Sequence, residues 1–301
     1  FHMCYNLNTS SIFYMGFELR KLIRVRGSYL VYLPKVIMEK SAADEVEVFW
    51  EDRFVGVRPA GVYEAELSCR GSVAVIVAGY AAGLDQVKIS ADPGVVDKAL
   101  EKVYAVVERE GDSYVIKYVD KYIDKEVVVE RMFEVLIHAL RGVAKGTANH
   151  KTLQAADDES DRLRLTLNRL CAKRPSPRCA FYIQLGRFFE RAIDHIVELY
   201  SERPSLDVWR ILLEAAESLS TAVGSGRGEQ LVQYLQKAPS YRFVLLQYAE
   251  RPSQALHAAR VLDYLINSAE VFLDKVIFQR ARFRPEREVE ENFISRENID
   301  T

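Results

Sequence analysis

At 301 residues the chain is longer than one hydrophobic core usually supports, so two or three domains are expected. Hydrophobic residues at 49% and charged residues at 28% are an ordinary globular balance, and a formal net charge of -2 excludes a global pull toward nucleic acid or a membrane surface. Any nucleic-acid affinity has to come from a local patch.

The first fourteen residues, Phe1 to Tyr14, lack the basic start, apolar middle and small-residue cleavage site of a signal peptide, and read as an extension ahead of Met15. From Phe17 to Arg58 the signal is extended. Leu19, Lys21, Ile23 and Val25 alternate with Arg20, Leu22, Arg24 and Arg26, setting a mostly apolar strand face against one with three arginines. A second short strand, Ser28 to Leu33, follows Gly27; Pro34 then suits the first turn of a short helix running to Lys40. Val46 to Trp50 and Phe54 to Val57 read as two more strands around the turn Glu51, Asp52, Arg53. Four short strands in about forty residues bury little apolar surface alone, so residues 15–60 are expected to be a dimerising arm.

Residues 61–124 read as a small α/β connector. Ser72 to Gly83 is expected to be a helix, Gln86 to Ser90 a strand and Gly94 to Lys102 a helix. Tyr104 to Arg109 and Tyr114 to Val119 form a hairpin turning on Gly111 and Asp112. The apolar run Val73 to Leu84 contains Gly79 and Gly83 and is far short of the roughly 20 residues needed to cross a bilayer, so no membrane insertion is expected.

From Lys125 the period is helical. Glu130 to Lys145, Leu153 to Ala172 and Ala180 to Ser201 read as one set of three helices, and Leu206 to Val223, Glu229 to Glu250 and Pro252 to Arg280 as a second, with Pro239 inside the middle one. Residues 125–282 are thus expected to form two three-helix units in tandem, ahead of a charged tail, 283–301, that reads as mobile. The fold class is α+β, mainly α.

The four cysteines, Cys4, Cys69, Cys171 and Cys179, show neither Cys-x-x-Cys nor a neighbouring histidine cluster, so a zinc ribbon is not indicated. Free buried thiols are one reading; a bridge between Cys171 and Cys179, which flank a short connection holding two prolines, is the other.

Two carboxylate pairs carry the chemistry. Asp157 and Asp161 stand one helical turn apart in the second helix, as do Glu190 and Asp194 in the third, so the members of each pair point the same way. The stripe Leu153, Ala156, Leu163, Leu167, Leu170 and the stripe Leu185, Phe188, Ala192, Ile196, Leu199 face inward, which sets both pairs on the outside of the bundle. Brought together, four carboxylates repel unless a cation sits among them, and hard oxygen donors suit magnesium, calcium, manganese or iron. The plain alternative is a solvated face neutralised by Arg162, Arg164 and Arg191.

The strings Asp157-Asp-Glu-Ser-Asp161 and Phe189-Glu190-Arg-Ala-Ile-Asp194-His195 resemble the paired E(D)xxxD motifs of the PhoU phosphate-uptake regulators, the archaeal type of which carries an AbrB-like arm ahead of the helical region. That resemblance implies Asp157, Asp161, Glu190 and Asp194 as ligands of a metal ion such as iron, magnesium, zinc or manganese, with Asp158, Glu159 and His195 as accessory groups. In the second unit Asp263 and Asn267 align with Glu190 and Asp194, and Lys237 and Tyr241 stand where Asp157 and Asp161 do, so one metal site per chain is expected.

Lys21 to Lys35, with Asp44-Glu-Val-Glu-Val48, resembles the swapped-hairpin AbrB fold. That resemblance implies a homodimer whose basic arm contacts DNA, with Arg20, Arg24, Arg26, Lys35 and Arg53 as phosphate contacts. The same fold can serve only as a dimerisation clasp. No GxGxxG, P-loop, GxSxG or HExxH string occurs, so no enzyme is expected. The resemblance as a whole implies a cytoplasmic regulator of phosphate uptake acting through a phosphate transporter component or a signalling protein. The alternative is a DNA-binding regulator whose helical part senses metal or phosphate.

Overall fold

The computed structural model describes residues 23–26, 28–30, 32, 45–51 and 54–281; the extension 1–14, the short helix expected at 34–40 and the tail 283–301 lie outside the described residues. The chain is α+β and mainly helical, and it divides into two compact units after Ile123, with Asn168–Pro177 belonging to the first.

In the first unit β1 (Ile23–Val25) and β2 (Ser28–Leu30) pair antiparallel, with Ile23 opposite Leu30. A second two-stranded ribbon follows, β3 (Val46–Glu51) against β4 (Phe54–Pro59). Here Gly56 stands opposite Phe49, whose ring lies over it so closely that a Cβ at Gly56 would come within 2.2 Å of the ring.

The remaining sheet is built from β5 (Glu64–Arg70), β6 (Gln86–Ser90), β7 (Ala105–Glu110) and β8 (Ser113–Tyr118) in the order β5-β6-β8-β7. Its β5–β6 pair is parallel, joined through helix α1 (Val73–Ala81), and the other pairs are antiparallel. Ser72 caps α1 by accepting from the Val75 amide, and Gly83 at φ +82° stops it, a conformation that a side chain would oppose. Helix α2 (Pro93–Leu100) opens on a proline, and β7 turns into β8 at Gly111, φ +61°. Ile76, Tyr80, Val87, Ile89, Val96, Ala99 and Ile116 are among the buried apolar residues of this unit.

The second unit holds helices α3 (Lys125–Ala144), α4 (His150–Lys173, whose last turns belong to the first unit), α5 (Cys179–Ser201), α6 (Leu206–Gly224), α7 (Gly228–Tyr248) and α8 (Pro252–Arg280). Asp124 caps α3 through the Glu126 amide, so this helix starts a turn earlier than its apolar period suggests. Helix α5 packs along α8 and α3, α6 along α3, α7 and α8, and α7 along α8. Cys171 and Cys179, at the two ends of the α4–α5 connection, are disulfide-bonded. Among the described residues no helix is long and apolar enough to cross a membrane.

The α5–α8 seam has a regular basis. Phe181, Phe188 and His195 recur every seven residues on α5, and they meet Phe278, Tyr264 and His257 on α8 in antiparallel order, at positions on α8 separated by multiples of seven. On the α3 side, Phe133 stacks on Phe189 at 4.9 Å.

Candidate metal centre

Two half-buried helix faces position the acids. The lower half of α4 is buried on most of its circumference, at Ser160, Leu163, Leu165, Thr166 and Leu167, so Asp157 and Asp161 are partly shielded. On α5 the expectation of an outward pair is corrected: Glu190 is buried and Asp194 half-buried. The inward stripe is wider than one row of apolar residues, because α5 packs on both α3 and α8 and buries Phe189 and Ile193 as well. The placement of the acids therefore no longer speaks for a merely solvated face.

The four predicted ligands lie near one another without closing into one donor cluster. Asp157 faces Asp194 across α4 and α5, and Arg164 pairs with both Asp161 and Glu190. Among the described residues the group of three acid or histidine donors within 4.8 Å of one another is His195, Glu198 and His257. Burial pushes the Asp157 carboxyl up to about 6, reinforced by a hydrogen bond to Asp194 and by the charges of Asp194, Asp161 and Asp158. Asp194 is likewise raised, by burial and by Glu190. Burial also raises Glu190, against the pull of Arg164 and Arg191 and with the push of Asp161 and Asp157. Asp157, Glu190 and Asp194 thus each respond to carboxylates on the other helix.

Two arginines partly neutralise them. Arg164 lies 3.3 Å from both Asp161 and Glu190, while Arg191 lies 3.6 Å from Glu190 and 3.4 Å from Asp194. Gln154 donates to Asp157 at 3.1 Å. These arginines offset part of the acids' charge, and the upward shifts of Asp157, Glu190 and Asp194 favour a proton or a cation among them. Oxygen donors suit a hard ion of the magnesium, manganese or iron kind, which these acids could hold once their side chains move closer together.

The accessory residues go elsewhere. Glu159 pairs with Arg131 of α3 at 2.9 Å, and Gln154 reaches Asp158 at 3.4 Å. His195 faces away from the acids: its Nδ1 is 2.9 Å from Glu198 Oε2 and 3.0 Å from His257 Nδ1, and His257 Nδ1 is 2.9 Å from the same carboxylate oxygen. Sequence reasoning missed Glu198 and His257; the signal available was His195-x-x-Glu198, an i,i+3 pair on one helix face.

The corresponding positions of the second helix triplet hold no such assembly. Asp263 is ion-paired with Arg242, Lys237 lies 3.0 Å from Glu214, and the Tyr241 hydroxyl is 3.0 Å from Ser218.

Of the expected DNA contacts, Arg24 on β1 and Arg26 in the following turn are exposed, Arg26 at φ +43°. Arg20, Lys35 and Arg53 lie outside the described residues.

No protein-family model, no curated protein and no solved structure matches the chain.

Proposed function

We propose that this chain is a metal-bearing regulator of phosphate supply of the PhoU kind, acting by contact with a phosphate transporter component or its signalling partner rather than by catalysis. The observation that supports the reading is the nearness of Asp157 on α4 to Asp194 on α5, with Glu190 and Asp161 close enough that their charges add to the upward shifts burial gives these acids. Such a group of acids is costly as an ordinary surface and favourable once a cation sits in it. The motif strings around these residues and the two helix triplets support the same reading. In it Asp157, Asp161, Glu190 and Asp194 hold the ion, and the ion supplies the positive charge that keeps α4 and α5 closed on each other.

The test combines metal analysis of protein purified without added ions with co-purification of the host's phosphate-transport components, with and without chelator. The expected result is bound metal and a transporter interaction that chelator weakens. Metal-free protein that binds its partner equally well would retire the metal, and metal-loaded protein that binds no transport component would retire the adaptor role.

A second reading, an AbrB-type DNA-binding regulator, draws on the exposure of Arg24 and Arg26 at the β1–β2 hairpin. A gel shift against DNA upstream of phosphate-transport genes, at low and moderate salt, decides it, since phosphate contacts of this kind weaken steeply with salt.

A further inference from the structure

The donor atoms of His195, Glu198 and His257 form a nearly equilateral triangle, with edges of 2.9, 2.9 and 3.0 Å. The three residues lie on α5 and α8, at the end of the aromatic seam, where Tyr264 stacks on the His195 ring at 5.9 Å. Hydrogen bonding alone cannot satisfy this triangle. A neutral imidazole Nδ1 either donates or accepts, and a carboxylate oxygen only accepts. If both rings donate to Glu198, the two N–H groups oppose each other. If only one donates, the other nitrogen's lone pair faces the carboxylate oxygen. In each arrangement at least one edge is repulsive, whereas a cation over the triangle makes all three contacts favourable.

We infer that His195, Glu198 and His257 form a second cation site, separate from the four carboxylates, for a nitrogen-preferring divalent transition ion such as zinc, cobalt or nickel. Two imidazoles and one carboxylate are a donor set such ions take, with a further position left for water or an exogenous ligand. A tetrahedral site with bonds of about 2.1 Å spaces its donors about 3.4 Å apart, so the three side chains need to open by only about half an ångström. The Glu198 side chain is 54% exposed and gives the ion a way in, while the two rings, at 22% and 20%, are held in place by their helices. Because α5 and α8 each contribute a ligand, the ion acts as a clamp across their seam. This site does not rest on the metal-regulator reading above.

The probe is cobalt(II), added to the metal-free full chain and followed by its visible absorption, then displaced with zinc. One equivalent of a nitrogen-ligated, low-coordinate cobalt spectrum is expected, bleached by zinc, which binds such sites more tightly. Replacement His257→Gln should abolish the band, and Glu198→Gln, at an exposed position with little bearing on folding, should weaken cobalt binding about tenfold or more. The double variant Asp157→Asn, Asp161→Asn should keep the band, which separates failure of this site from failure of the carboxylate centre. No band in the parent, a band indifferent to E198Q and H257Q, or a band lost in D157N/D161N would each overturn the inference.

Discussion

The carboxyl group of Asp157 on α4 faces that of Asp194 on α5, and the nearness of Asp194 adds to the burial that raises Asp157. Burial and this nearness push Asp157 up to about 6, while in the unfolded chain it titrates near about 4. The folded state therefore binds the extra proton between those values, and stability from this pair is fully present below about pH 4 and lost as pH rises through about 6. Metal-free protein should melt at progressively lower temperature over that window, and Asp157→Asn should remove most of the slope. Asp85 and Asp120 work in the opposite sense: burial opposes their ionisation, but Lys173 and Arg169 hold both low, so their contribution is lost as pH falls below the usual carboxylate range. The difference between variant and parent isolates Asp157. Equal pH slopes for the two proteins would mean that Asp157 is not raised in the folded chain.

Replacing Asp161 and Asp194 together by Asn keeps shape and hydrogen-bonding capacity and removes two of the four charges. The metal-free form should gain stability, and the increment that added metal gives the parent should disappear, because an ion that binds only the folded state stabilises it by mass action. Arg164 and Arg191 would then outnumber their remaining acid partners, so the gain should be small. Thermal melts of both proteins, with chelator and with added manganese, read both effects. Parent curves that coincide with and without chelator would leave these acids as an ion-paired helix face.

Arg169 is the most deeply buried charge among the described residues of the first unit. Its side chain, 1% exposed, lies 2.6 Å from Asp120, donates to the Tyr80 and Leu84 carbonyls, and sits over the Tyr80 and Tyr118 rings at 5.0 and 5.5 Å. Arg169→Met keeps much of the volume and strands these acceptors. The expected loss is about 3 kcal/mol, at the low end for a broken buried pair because Lys173 still holds Asp85 and Asp120. Denaturant unfolding gives the magnitude, and hydrogen exchange should show faster opening of β6 and β8. A change within about 0.5 kcal/mol would show the network to be dispensable.

Most helices were legible in the sequence because their apolar period is long and their ends are marked, as Gly146 closes α3 and Pro252 opens α8. The start of α3 was not, because Asp124 caps it and sets its first residue, Lys125, five residues ahead of the Glu130 read from the period. Strand β5 was not. Glu64 and Glu66 punctuate it, and among the described residues it is an edge strand paired with β6, where such charges serve solubility and hide the strand pattern. The carboxylates were visible as i,i+4 pairs, but the burial of Glu190 depends on how α5 packs against two neighbours, which one helix's periodicity does not contain. His257 is 62 residues from His195 in the chain, so only the antiparallel α5–α8 pairing brings it to Glu198.

The ribbon β3–β4 bears on oligomeric state. Alternation places Val48 and Trp50 on one face of β3, and the register sets Trp50 opposite Val55 and Val48 opposite Val57. On that face Trp50 is 76% exposed, Val55 64% and Val48 52%, while Glu47 and Arg58 pair at 2.6 Å on the other. A two-stranded ribbon is marginal in water by itself, and an apolar face this open gains stability only when something covers it. A second copy of the same ribbon, related by a two-fold axis, covers Trp50 with the partner's equivalent face and needs no other protein. The chain is therefore expected to be a homodimer through residues 15–60. Deleting residues 1–60 should give a folded monomer, because among the described residues the sheet β5-β6-β8-β7 takes no strand from that region. Trp50→Glu, a change at an exposed site that leaves each chain's own fold intact, should weaken the dimer about tenfold or more, since Trp is the residue type that most often carries interface energy. Sedimentation velocity across a range of concentrations reads both variants. If the deleted chain and W50E both sediment as dimers at the parent's concentration, the interface lies in the helical region and the ribbon is not the clasp.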